Sequence, residues 1–273
     1  MVTWASGHVE PSLQSLTRLA NLARRAGDAI LEHYALDGAG AVATSKADGS
    51  PLTLADQAAH RVIRDGLEDW DPSVPFLSEE GEQPPHEERR HWRQYWLVDP
   101  LDGTKEFIQR NGEFTVNIAL IEDGEPVMGV VYAPALDVMY LAAKGLGARR
   151  VDATGTVEYI SHVPPAPDQP LVVVESRSHG SPELEAYLAT IAVRERIRVG
   201  SSLKFCWVAE GRADIYPRLG PTMEWDVAAG DCIYRNSAPS GQYSSPLTYN
   251  KADLRNPSFV LGGADRTATI MAD

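Results

Sequence analysis

Trp96-Leu97-Val98-Asp99-Pro100-Leu101-Asp102-Gly103-Thr104 is the stretch on which the reading of this chain turns. Tyr95 to Val98 is a short, uninterrupted apolar run, the pattern of a strand buried on both faces, and Asp99-Pro100 stops it. The buried strand delivers two carboxylates three residues apart onto a turn, followed by glycine. In α/β proteins, sites collect where strands end. Pro100 keeps the chain from simply continuing the ladder, leaving the Leu101 carbonyl available to a cation, and Gly103 lets backbone approach a ligand closely. Asp99 and Asp102 can then share a hard, oxygen-loving metal. Taken alone, the stretch reads more readily as an Asp-Pro turn whose carboxylates cap their own backbone.

The flanking sequence supplies the rest of the fold. On the N-terminal side, apolar residues recur at three- and four-residue steps from Ser12 to Tyr34 and again from Leu54 to about Trp70. Both are amphipathic helices, and Thr53 with Asp56 forms a capping box at the start of the second. Glu79 to Arg93 is polar and reads as a solvated loop. On the C-terminal side, Phe114 to Ile121, Val127 to Ala133 and Val138 to Ala142 read as an antiparallel meander, the first pair joined at Asp123-Gly124. Pro164, Pro165, Pro167 and Pro170 then crowd one short stretch, which places a seam near Ser161 to Gln169. Two subdomains are expected, residues 1–160 and 161–273. The second alternates: strand Leu171 to Val174, helix Ser181 to Ile191, strand Ile197 to Val199, helix Ser202 to Glu210, strand Ala213 to Tyr216. A helix opening at Trp225-Asp226 and a last strand at Ser258 to Leu261 complete it.

Composition narrows the function. The 273 residues are 43% hydrophobic, 8% aromatic and 23% charged, enough for one or two sizeable cores and incompatible with wholesale disorder. A net charge of −13 opposes a non-specific grip on nucleic acid or an anionic membrane. Cys206 and Cys232 form no metal-binding or disulfide pattern, and no apolar run approaches membrane-spanning length. A cytoplasmic protein is expected. Acid groups also follow a second apolar run at Ser78-Glu79-Glu80 and open a helix at Asp226, although each separately has the ordinary reading of a solvated acid or a helix cap.

Asp56, Glu79-Glu80, Asp99-Pro100-Leu101-Asp102-Gly103-Thr104 and Trp225-Asp226-Val227-Ala228-Ala229-Gly230 together resemble the signature of the inositol monophosphatase superfamily of metal-dependent, lithium-sensitive phosphomonoesterases. The similarity is greatest to its bacterial CysQ branch of 3'(2'),5'-bisphosphate nucleotidases. It is carried by Lys46 to Thr53, Trp96 to Phe107, Arg110 to Asn117, Ser176 to His179, Gly200 to Cys206 and Tyr216-Pro217-Arg218. It covers nearly the whole chain and departs from the family pattern at Arg235 to Pro246. The resemblance implies a layered αβαβα sandwich of the sugar-phosphatase type. It implies two or more Mg²⁺ ions held by Glu79, Asp99, the Leu101 carbonyl, Asp102 and Asp226, with four negative charges neutralised by two divalent ions. It assigns the attacking water to Asp56, Glu79 and Thr104, and the substrate to Gly103, Thr104, His179, Ser201, Lys204, Arg218 and Asp226. The implied reaction is hydrolysis of 3'-phosphoadenosine 5'-phosphate to AMP and phosphate, clearing a by-product of sulfate assimilation. Inositol monophosphate and fructose 1,6-bisphosphate are the alternative substrates, and both monomer and homodimer remain open.

Overall fold

The computed structural model describes residues 8–35, 42–45, 51–178, 180–239 and 243–262. The chain opens with α1 (Leu13–Tyr34), begun where Ser12 Oγ accepts the Ser15 amide at 3.1 Å. The predicted periodicity is realised, since Leu16, Leu19, Ala23, Ala26 and Ile30 form its buried stripe. A two-stranded ribbon, β1 (Val42–Ser45) and β2 (Pro51–Thr53), leads into α2 (Leu54–Glu68). The capping box forms as read: Thr53 donates its amide to Asp56 Oδ2 at 2.8 Å and its hydroxyl accepts the Asp56 amide. Such a cap contributes about 1 kcal/mol.

Next come β3 (Phe76–Ser78), α3 (His86–Arg89), β4 (Gln94–Asp102), α4 (Thr104–Ile108), β5 (Thr115–Glu122), β6 (Glu125–Ala133), β7 (Val138–Ala143), β8 (Gly147–Val151) and β9 (Val157–Ile160). Apart from the short helices α3 and α4, these form one seven-stranded sheet in the order β3-β4-β5-β6-β7-β8-β9, parallel at β3·β4 and antiparallel elsewhere. The meander therefore exists and is two strands longer than the sequence reading. Its first hairpin turns at Asp123 (φ 48°) and Gly124 (φ 81°), where two consecutive positive φ values match the strand twist. Two expectations are corrected. Pro100 does not end the strand: β4 runs on to Asp102, and the register slips between Asp99, opposite Asn117, and Asp102, opposite Thr115. That irregularity absorbs the missing proline amide. The Glu79 to Arg93 segment is not all loop either, because Arg89 of α3 is buried and donates to Pro84 O and Asn250 Oδ1, each at 2.9 Å.

The Pro-rich stretch carries the chain from β9 to a second sheet. Its elements are β10 (Leu171–Ser176), α5 (Pro182–Leu188), β11 (Val193–Val199), α6 (Leu203–Ala209), β12 (Ile215–Arg218), β13 (Thr222–Met223), α7 (Glu224–Arg235), β14 (Arg255–Asn256) and β15 (Phe259–Gly262). The four-stranded sheet runs β11-β10-β12-β15, with β15 alone antiparallel to its neighbour. β13 and β14 make a separate two-stranded ribbon.

Side-chain alternation sorts these elements into layers. Trp96 and Val98 of β4, with Val116, Ile118 and Leu120 of β5, pack under α1 and α2. Tyr95 and Leu97, with Ala119 and Ile121, face the opposite way onto α6, α7 and the inner face of the second sheet. Leu171, Val173 and Ile215 form that sheet's outer face and cover α5. The order α, β, α, β, α is the expected five-layer sandwich. Each large apolar side chain buried this way contributes about 1.5–3 kcal/mol. It also explains the unbroken apolar run that began the reading, because β4 has no solvent face.

His162, at the start of the Pro-rich stretch, is buried between Tyr234 and Tyr243, with ring centroids 6.0 and 5.5 Å away. The Tyr243 hydroxyl donates to the His162 carbonyl at 2.6 Å. Burial pushes the imidazole below the ordinary histidine range, opposed by Asp214 and the Val208 backbone. The folded chain thus binds fewer protons here than the unfolded one, so this group's contribution to stability falls as pH drops below about 6.5, by at most about 1.4 kcal/mol per pH unit. His162→Phe keeps the aromatic packing and should lose less stability than the wild type between pH 7.5 and 5.5 in urea denaturation. Identical losses in the two proteins would show that His162 does not titrate with folding.

Candidate active site

The end of β4, the start of α4, the β11–α6 turn and the N-terminus of α7 converge on one cavity of about 220 Å³. It is lined by Glu79, Asp99, Leu101, Asp102, Gly103, Thr104, Ser201, Lys204, Arg218 and Asp226 among others. Ten of the residues nominated from sequence thus share one wall system although they come from five distant segments. Two do not line it. Asp56 is buried at the start of α2, engaged with Thr53, and His179 lies outside the described residues.

Local physics places each carboxylate. Glu79 follows β3 and donates its amide to Val98 O at 3.1 Å, which ties it beside β4. Asp99 is 2% exposed and accepts the Leu101 amide at 3.1 Å, the turn contact expected of an Asp-Pro step. Asp226 sits in the first turn of α7, where its Oδ2 accepts the Met223 amide at 2.9 Å. It is therefore both a helix cap and a cavity wall, so the two readings of this residue do not compete. Asp102 accepts from Ser202 Oγ at 3.1 Å, and Ser202 in turn accepts from Asn117 Nδ2 at 2.8 Å. This short relay ties β4 and β5 to the start of α6.

The acids repel one another. Burial, then the neighbouring Glu79, Asp102 and Asp226, pushes the Asp99 carboxyl well above the usual carboxylate range. Asp226 is pushed up to about 8 by burial first and by Asp102 and Glu79 next. Burial also raises Asp102, opposed by Lys204 and Ser202. Converging carboxylates of this kind hold protons in the absence of a cation, and their donors are all oxygen. Among the described residues no three His, Cys, Asp or Glu side chains already enclose a metal position. The donor chemistry still fits a hard divalent cation and no soft one.

The same cavity also carries cations. Lys204 is buried, donates to Ser201 O and lies 5.6 Å from the Tyr216 ring centroid. Burial brings its ammonium down to about 8, although Asp102 works against this. Arg218 donates to Gly220 O at 3.2 Å and Pro221 O at 2.9 Å, which aims it by its own loop.

Several wall residues had no role in the sequence reading. Glu106, buried, accepts from Ser178 Oγ at 2.5 Å; Ser202, Phe205 and Tyr216 also line the cavity, as do Lys105, Ser176, Thr222 and Val227. All but Thr222 lie inside stretches that carry the family resemblance. The available signal was a lone acid in α4 beside the apolar Phe107.

The sequence profile of the Inositol monophosphatase family matches residues 12–238. The chain belongs to the inositol monophosphatase family. It is 51% identical over 251 residues to the 3'(2'),5'-bisphosphate nucleotidase CysQ of Escherichia coli strain K12, covering 89% of this chain and 98% of that one. Against the CysQ of Salmonella typhimurium it is 55% identical over 219 residues, covering 80% and 86%. The crystal structure of CysQ from Bacteroides thetaiotaomicron, described as a bacterial member of the inositol monophosphatase family, superimposes with a TM-score of 0.78 at 41% identity, over 92% of this chain and 97% of that one. The family and its fold are those expected from the carboxylate motifs. Among the described residues no helix is long and apolar enough to cross a membrane.

Proposed function

We propose that this chain is a Mg²⁺-dependent 3'(2'),5'-bisphosphate nucleotidase that hydrolyses the 3'-phosphate of 3'-phosphoadenosine 5'-phosphate to AMP and inorganic phosphate. The observation that carries the reading is a single cavity lined both by Glu79, Asp99, Asp102 and Asp226 and by Lys204 and Arg218. An acid cluster alone suits any metal-dependent phosphatase. A buried lysine and an arginine in the same cavity suit a substrate that brings a second phosphate, which stays uncleaved and needs cationic partners. The CysQ relatives, by name, act on such bisphosphates.

In this reading two Mg²⁺ ions would be held by Glu79, Asp99, the Leu101 carbonyl, Asp102 and Asp226. When bound, they supply Lewis acidity at the phosphoryl oxygens and make a bound water acidic enough to attack at neutral pH. The chain's own part is positional. Glu79 and Thr104, on the cavity wall, hold the attacking water. The family pattern adds Asp56, whose Oδ2 is engaged by Thr53. Gly103 and Thr104, where α4 begins, face the reacting phosphate. Ser201, Lys204 and Arg218 take the non-reacting end of the nucleotide, with His179 assigned to the adenosine. The water oxygen forms the new P–O bond, the bond to the ribose 3' oxygen breaks, and that oxygen leaves with a proton. Buried, unpaired Cys206 and Cys232 suit a reducing, cytoplasmic setting.

The test is phosphate release by the purified chain with Mg²⁺ from three esters: 3'-phosphoadenosine 5'-phosphate, inositol 1-phosphate and fructose 1,6-bisphosphate. The nucleotide should be preferred over inositol 1-phosphate by about 10²-fold or more in kcat/KM, since a monophosphate brings no second phosphate to Lys204 and Arg218. EDTA should stop the reaction and lithium should inhibit it. Faster turnover of inositol 1-phosphate would overturn the substrate assignment while leaving the metal chemistry in place.

A further inference from the structure

Glu113 lies in the connection between α4 and β5, and its carboxylate reaches across to the other half of the fold. Arg177 donates to it through Nε at 2.6 Å and Nη2 at 2.7 Å, a bidentate pair. The same carboxylate accepts the Gly200 amide at 2.8 Å, and the Glu113 carbonyl accepts from Ser201 Oγ at 2.8 Å. Arg177 directly follows β10, and Gly200 directly follows β11. One residue of the first sheet's half therefore holds two strand ends of the second sheet at the point where they reach the cavity.

The Gly200–Ser201 turn needs such a hold. Ser201 has φ 53°, in the left-handed region that non-glycine residues adopt only when their surroundings enforce it. Its hydroxyl is shared between Glu113 O and Asp102 O, the latter at 2.7 Å. A Cβ on Gly200 would lie 2.6 Å from Glu113 O, so the two backbones are already at their closest approach. The turn in turn positions Lys204, whose ammonium donates to Ser201 O. Contacts thus run from Glu113 through Gly200 and Ser201 to the buried cation on the substrate side of the cavity. None of them involves the side chain of Asp99, Asp102 or Asp226.

We propose that Glu113 and Arg177 are a positioning pair that sets Ser201 and Lys204 for the uncleaved part of the substrate, and so governs nucleotide affinity separately from the hydrolytic step. The proposal rests on the bisphosphate nucleotide reading above. Arg177 is 42% exposed and Glu113 16%, so the ion pair is partly screened and the larger share of the effect lies in the bond to Gly200.

The experiment measures kcat and KM of Arg177→Ala, Arg177→Lys, Glu113→Gln and Glu113→Ala with Mg²⁺, on 3'-phosphoadenosine 5'-phosphate and on p-nitrophenyl phosphate. Arg177→Ala should raise the nucleotide KM about threefold and Glu113→Ala about tenfold, with kcat nearly unchanged. Arg177→Lys restores the charge and should recover part of the loss. Glu113→Gln keeps an acceptor for the Gly200 amide and should fall between the two alanine variants. KM for p-nitrophenyl phosphate should not move, because that ester has no second phosphate. Thermal unfolding of each variant is followed in parallel, and Arg177→Ala, which leaves every Glu113 bond to the turn intact, tests the pair even if Glu113→Ala folds poorly. A proportional loss of kcat on both esters that tracks the fall in Tm, or an unchanged nucleotide KM in all four variants, overturns the proposal. If the wild-type enzyme prefers a different ester, the substrate reading fails on its own; the same KM split, measured on that preferred ester, then decides the positioning role.

Discussion

Asp99→Asn should reduce phosphate release by about 10³-fold or more while leaving the metal-free fold at least as stable as the wild type. Asparagine matches aspartate in shape, and its carbonyl oxygen can still accept the Leu101 amide now received by Asp99 Oδ1. No void opens in the 2% exposed position. What disappears is a buried carboxyl that, beside Glu79, Asp102 and Asp226, must take up a proton for the metal-free chain to fold, a requirement that costs folding energy at neutral pH. Removing it should hold or raise Tm in EDTA. The cost becomes an asset once a cation binds, so the rise in Tm on adding Mg²⁺ should be smaller in the variant than in the wild type. Opposite signs in EDTA and in Mg²⁺ separate a ligand from an ordinary buried carboxylate. Wild-type turnover in Asp99→Asn, or a large fall in Tm in EDTA, would remove Asp99 from the centre of the site.

The sequence made the site's carboxylates legible because each stands at the end of a recognisable element. Asp99 and Asp102 close an apolar strand, Glu79 closes another, and Asp226 opens a helix. The layer order was legible only through resemblance, since an apolar run shows that a strand is buried on both faces but not what covers each face. Helices α1 and α2 were plain from their spacing, having one buried stripe each. β8 and β9 were missed for the converse reason: Ala148 is the only fully buried residue in the pair, so neither has a clean alternation. The Pro100 reading failed because a proline signals that a hydrogen bond is missing, not that the strand ends; the register slip beside it supplied the remedy. Glu113 was illegible for a deeper reason. Its partners Arg177 and Gly200 lie 64 and 87 residues away, and only the meeting of two sheets brings them together.

Gly103→Ala is the second substitution expected to have a large effect, and it tests whether the cavity depends on a backbone position as much as on its acids. Gly103 caps α4 with φ 89°, a conformation that costs an L-residue about 1–2 kcal/mol. The added methyl would also lie 2.2 Å from Ser201 Oγ, 3.3 Å from Glu106 Oε2 and 3.4 Å from Glu113 O. Ser201 cannot yield freely, because its hydroxyl is bonded to Asp102 O and Glu113 O and its own φ is positive. The strain therefore passes into the end of β4 and the turn that carries Lys204. A displacement of about 1 Å there should lower kcat/KM about 10²-fold, with a fall in Tm of several degrees. The two causes separate in a double variant. Ser201→Ala removes the obstructing oxygen, so Gly103→Ala combined with Ser201→Ala should lose less activity than the two single losses multiplied together, a non-additivity that marks direct contact. Strain from φ 89° would persist in the double variant and keep its Tm below that of Ser201→Ala alone. Full activity in Gly103→Ala would mean that the β4–α4 corner tolerates a side chain, and that the close fit of Gly103 against Ser201 has no part in catalysis.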